Sequence, residues 1–161
     1  MPKIKAPIVS VANYRDDFLY PRIVRAVEMI LLRGKVVAPV DVLIGMGLLD
    51  PAQLEDWRFG RVDYLERVIN CNLHRLSRVL RILRFHANDL NLVPSMTAYM
   101  RWGRGRKQRL RFTKTGDSKL EASYARHFIW IGKEPFHPPK PGPERQRQGT
   151  SLSAKTKEFQ E

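Results

Sequence analysis

The sequence predicts an α+β domain that is mostly α: a helical bundle with one long amphipathic helix over about 62–90, a basic β-hairpin over about 96–113, a covering helix and a disordered tail. Three observations predict it. Short segments punctuated by proline, glycine and capping residues fill the first third of the chain. Apolar residues then recur at helical spacing from Val62 to Leu90. After Asn91 and Pro94 the period changes from 3.6 to 2. At 161 residues the chain suits one ordinary domain. The boundaries fall as an arm over 1–19, a domain over 20–131 and a basic, proline-rich tail over 132–161.

The first helix runs from Tyr20 to about Gly34. Pro21 suits its first turn, Ile23, Val27, Ile30 and Leu31 share a face, and Gly34 stops it. Pro39 to Gly45 is a short helix closed by a Gly-Met-Gly-Leu turn. Asp50 followed by Pro51 is an N-cap with a proline at the first helical position, opening a helix to Phe59 that Gly60 ends.

Over 62–90, Leu65, Val68, Ile69, Leu73, Leu76, Val79, Leu80, Leu83 and Leu90 fill one arc of a helical wheel. Arg67, Arg75, Arg78, Arg81 and Arg84 lie outside it. Arg75, Arg78, Arg81 and Arg84 step by three without forming one stripe, a weaker candidate for contact with an anionic partner, and salt bridges to acids of the short helices are their expected use. A helix of that length would be about 40 Å long. Asn72 falls inside the arc and is expected to hydrogen-bond a neighbouring backbone group.

In the hairpin, matching the apolar faces pairs Met100 with Leu110 and Ala98 with Phe112, leaving 103–107 as the loop. Ala98, Met100 and Trp102 then form an apolar underside. Tyr99 stands opposite Arg111 and Arg101 opposite Arg109 on the outer face. Ser118-Lys-Leu-Glu121 reads as a capping box for a helix to about Phe128, with Leu120, Tyr124 and Phe128 covering that underside.

Charge carries the functional reading. The net charge is +13, and residues 96–131 hold nine cations against two acids, more than half of the excess. From Arg101 to Lys114 there are seven cations and no acid. Like charges directly opposite weaken a strand pair, so the arrangement gains only from an anionic partner. Gly103 and Gly105 allow close backbone approach, and the arginine fork suits phosphate and base edges. The expected function is therefore non-catalytic nucleic-acid binding, to DNA or RNA. The expected contacts are Tyr99, Arg101, Arg104, Arg106, Lys107, Arg109, Arg111 and Lys114.

Helices followed by a basic hairpin also resemble a winged-helix module in outline. The segment Ala52 to Phe59 would then face DNA, and Glu55 and Asp56 make that a poor surface for it. Two further readings compete. The apolar arc of the long helix could serve oligomerisation or another protein. Glu121, Tyr124, His127 and Lys114 could form the acid–base set of a small nuclease.

Cys71 and His74 lack further ligands at a metal-binding spacing, and no Walker, G-x-S-x-G or H-E-x-x-H motif occurs, so no metal or cofactor is expected. One cysteine excludes an internal disulfide. With no apolar stretch of secretory or membrane-spanning length, the expected setting is the cytoplasm, with no membrane partner and a composition of bacterial character.

Overall fold

The computed structural model describes residues 8–138 as an α+β fold, rich in helix, with a small antiparallel sheet. Residues 1–7 of the expected arm and 139–161 of the expected tail lie outside the described residues. Five helices and three strands follow in the order α1 (Tyr20–Leu31), β1 (Val36–Val37), α2 (Pro39–Gly45), α3 (Pro51–Arg58), α4 (Leu73–Asp89), β2 (Val93–Met96), α5 (Ser118–Ala125) and β3 (Arg126–Ile129).

The helix ends obey local chemistry. Pro21 lies in the first turn of α1, and Asp50 caps α3 by accepting the Ala52 N–H at 2.8 Å. Three helices close in the same way. The second residue past the cap donates back to the third residue from the helix end: Leu48 to Leu43 in α2, Arg61 to Asp56 in α3 and Leu92 to Ala87 in α4. Gly47, Gly60 and Asn91 occupy the left-handed position of these turns. Ile23, Ala26, Val27 and Leu31 of α1 are buried with Val40, Val42 and Leu43 of α2. A Cβ on Gly45 would lie 3.0 Å from that of Ala26, so these two helices pack closely.

The long helix is shorter than its periodicity predicts. Leu65–Val68 is a single 3-10 turn, and α4 begins only at Leu73. Tertiary partners take the intervening backbone donors. Leu65 N–H bonds Arg111 O, Glu66 N–H bonds Phe112 O, and Asn70 N–H bonds Leu48 O. Asn72 then caps α4, its Oδ1 accepting the Arg75 N–H at 2.8 Å. At 17 residues α4 spans about 25 Å. Its inner face, with Leu76, Val79, Ile82, Leu83 and Ala87, is buried in the core.

The covering helix also ends early. Asp117, not Ser118, caps α5, and Glu121 reaches away from its own helix to accept the N–H groups of Phe112 and Thr113. Residues 126–129, expected to continue the helix, form the central strand of the sheet, ordered β1-β3-β2. Val36 and Val37 face Ile129 and Phe128 on one side, and Val93 to Met96 pair along the other. Two strands waiting for a partner outweigh one more helical turn. Beyond the sheet, Trp130 donates to Glu134 O, and Phe136 is buried against its ring, so packed chain continues to Phe136.

Between β2 and β3 the expected strand pair reduces to one antiparallel bridge, Met100 with Arg109, held by Arg101 N–H to Gln108 O and Leu110 N–H to Tyr99 O, each 2.8 Å. The register differs by one residue from the expected Met100–Leu110 match. Such a slip reverses the faces. Tyr99 therefore points inward, into a cluster with Trp57, Phe112 and His127. Tyr124 stacks on Phe112 with the rings nearly parallel.

Candidate nucleic-acid interface

The basic segment is anchored on the C-terminal end of α3. Trp57 is fully buried, and its indole N–H donates to Arg111 O at 2.9 Å. One residue on, Arg58 O accepts the Trp102 N–H at 2.7 Å. The Arg58 guanidinium lies 4.3 Å from the centroid of the Trp102 ring and 4.9 Å from that of Tyr99, within cation–π range of both. Burial pushes the Arg58 guanidinium below its ordinary value, with Tyr99 opposing the shift; arginine keeps its charge at neutral pH regardless.

Arg101 organises the loop from within. Its guanidinium donates to Arg104 O at 2.8 Å, and its stem lies where a Cβ on Gly60 would fall, 2.8 Å from Cδ. Gly105 brings the loop equally close, its missing Cβ 3.1 Å from the Arg101 Nη2. With φ near +102 and +109, Gly103 and Gly105 hold a backbone conformation that other residues rarely adopt. Arg101 is half-buried and already hydrogen-bonded, so it is less free than the exposed arginines around it.

The remaining predicted residues divide. Arg104, Arg106, Lys107, Arg109, Arg111 and Lys114 are exposed, and among the described residues none pairs with a carboxylate. Arg104, Arg106 and Lys107 form the tip. Arg109, Arg111 and Lys114 line a groove of about 700 Å³ shared with Gly60, Asp63 and Tyr64. Asp63 is the acid in that groove, and it sits 3.7 Å from Arg67. Tyr99 is the exception. It is buried, and its hydroxyl meets His127 Nε2 at 2.6 Å, so it supports the loop from below. Burial, aided by the charge of Asp41 and opposed by Arg58, pushes that hydroxyl up to about 12.

Sequence reasoning missed two residues. Trp102, assigned to the apolar underside, is 46% exposed beside the cationic tip, its ring edge-on to Phe59. Arg58 backs it. The available signal was a tryptophan abutting a Gly-x-Gly turn inside a cationic run, with an arginine at the end of the helix before it.

Glu121, Tyr124 and His127, of the acid–base set in the competing nuclease reading, are each already engaged. Glu121 is engaged by two backbone N–H groups, and Tyr124 is buried with its hydroxyl donating to Glu66. His127 lies between Tyr99 and Thr97 Oγ1, and burial lowers its proton affinity against the opposing pull of Asp41. Among the described residues no three His, Cys, Asp or Glu side chains gather as metal ligands, and no helix is long and apolar enough to cross a membrane. No family model, curated protein or solved structure matches the chain.

Proposed function

We propose that this protein binds nucleic acid without catalysis, through the basic segment 101–114 and the Trp102 ring beside it. The carrying observation is six exposed cations, Arg104, Arg106, Lys107, Arg109, Arg111 and Lys114, with no carboxylate partner among the described residues. Their mutual repulsion in the free protein turns into attraction when phosphates lie between them. The tip cations serve phosphates, which fix position. Trp102, backed by the Arg58 guanidinium, offers one aromatic face to an unpaired base. The working compartment that goes with this ligand is the cytoplasm.

The winged-helix outline draws support at one point: the basic segment lies in the connection between adjacent antiparallel strands β2 and β3, which α5 then completes. That likeness is an analogy of arrangement and says nothing of sequence preference. The oligomerisation reading finds less support, because the apolar face of α4 is buried in its own fold and Leu73 is its exposed large apolar residue.

Purification at low salt tests the proposal. Nucleic acid is expected to accompany the protein, raising its absorbance ratio at 260 to 280 nm, and high salt should strip it. Protein that emerges free of nucleic acid at low salt, and shifts no added DNA or RNA, would refute the assignment.

A further inference from the structure

A second basic surface lies on the far side of α5. A groove of about 850 Å³ runs between α4 and α5 with Val9–Val11 along it, and Arg81, Arg84, Lys119 and Arg126 line it with Ser77 and Ser123. Among the described residues none of these four cations pairs with a carboxylate. The acid at the groove, Asp117, is occupied: its Oδ1 accepts the N–H groups of Lys119 and Leu120 as the cap of α5. Arg81 makes one long hydrogen bond, 3.4 Å to Val9 O. Elsewhere on the same helix the cations are engaged, Arg78 with Asp17 and Arg75 over the Phe18 ring.

The two basic surfaces adjoin. Ser118 and Ala122 line this groove and also a hollow of about 370 Å³ on the other side of α5, beside Arg109 and Arg111. Small side chains on that ridge leave the way across it low. A helix is about 10 Å wide, and one strand carries a phosphate every 3.4 Å or so of axis, so about three phosphates bridge it.

We propose that the α4/α5 groove is a second phosphodiester site, filled by the same nucleic acid as it continues across α5 from the basic loop. This rests on the nucleic-acid reading of the loop. The groove adds its own phosphate contacts, so the footprint extends beyond what the 101–114 segment reaches.

Two measurements on the full chain test it with a 20-nucleotide DNA, single-stranded and duplexed. In the first, lysines of the wild-type protein are acetylated with and without DNA and read by mass spectrometry. Lys107 in the loop and Lys119 in the groove should both be protected, and exposed Lys35 should not. In the second, the variant R84Q/K119Q/R126Q should lose about 2 to 3 from the slope of log affinity against log salt, with its thermal midpoint kept. Protection of Lys107 with Lys119 fully reactive overturns the groove site and leaves the loop reading standing. An unchanged slope in a folded triple variant does the same. Absence of protection at both lysines overturns both. Should the triple variant fail to fold, the wild-type footprint decides alone.

Discussion

Two sets of arginines in this molecule have opposite surroundings. Four of those around the helices meet acids: Arg15 with Asp89, Arg61 with Asp56, Arg67 with Asp63, and Arg78 with Asp17. From 104 to 111 they meet none among the described residues. The two sets share a residue type and differ in spacing along the chain and in what the fold brings near them. Residues 1–95 hold ten acids within reach of the first set, whereas 96–131 hold two, and both are occupied. Glu121 accepts backbone N–H groups and Asp117 caps α5. Paired arginines stabilise the fold. The unpaired ones of the loop are those that the proposed function assigns to a polyanion.

Breaking a member of the first set should therefore cost stability and spare binding. The strongest case is Arg78, because the Asp17 side chain is only 4% exposed. Arg78→Ala leaves that carboxylate nearly buried and without its partner, at about 3 kcal/mol. Thermal unfolding should show the loss, with the salt slope for DNA unchanged. An unaltered midpoint would dissolve the distinction drawn here.

Trp102→Ala should do the reverse. Removal of a stacking face costs about 1–3 kcal/mol per base on a single strand and little on a duplex, with the unfolding midpoint within a degree or two of wild type. Equal losses on both ligands would assign Trp102 to loop support and remove it from contact.

Gly60→Ala sharpens the comparison from the backbone side. Its φ of +76 and the 2.8 Å approach to Arg101 disfavour a Cβ, at about 1–2 kcal/mol. Weakened DNA binding should accompany that loss, since Arg101 holds the loop through Arg104 O.

The smallest expected effect is a pH dependence. Burial lowers the proton affinity of His86 and of His127 in the fold. The unfolded chain therefore binds more protons below its ordinary histidine value of about 6.5. Stability is full above that pH and falls as the solution is acidified through the lower folded values. Both ring nitrogens of buried His86 lack hydrogen-bond partners among the described residues. His86→Leu should thus hold its midpoint at pH 7 and flatten the decline toward pH 5. A steeper decline in the variant would show that His86 is not its source.

Sequence alone disclosed the locally encoded features. Asp50-Pro51, Pro39–Gly45, Gly60 and Asn91 act where their chemistry said, because a cap or a left-handed turn depends on a handful of neighbouring atoms. Features set by distant partners were hidden. The break before α4 exists because Leu48, Arg111 and Phe112 offer carbonyls to 65–70, although Asn72, read as an interior residue, was itself a cap signal. β3 needs two other strands to be a strand at all. For the site, the cationic run was visible, but the inward turn of Tyr99 and the outward turn of Trp102 hinged on a one-residue register. That register is decided by the aromatic cluster around Trp57, which no local pattern announces.

The most direct test of the account is the salt dependence of DNA binding for wild type and for R104Q/R106Q/K107Q/R109Q, measured by anisotropy from about 50 to about 200 mM salt. Four phosphate contacts predict that the variant's slope is shallower by about 3.6, with roughly a hundredfold of affinity lost by wild type over that range through these residues. The unfolding midpoint of the variant should equal or exceed that of wild type, since repulsion is relieved. Identical slopes for the two proteins would contradict the claim that these arginines are held for a polyanion.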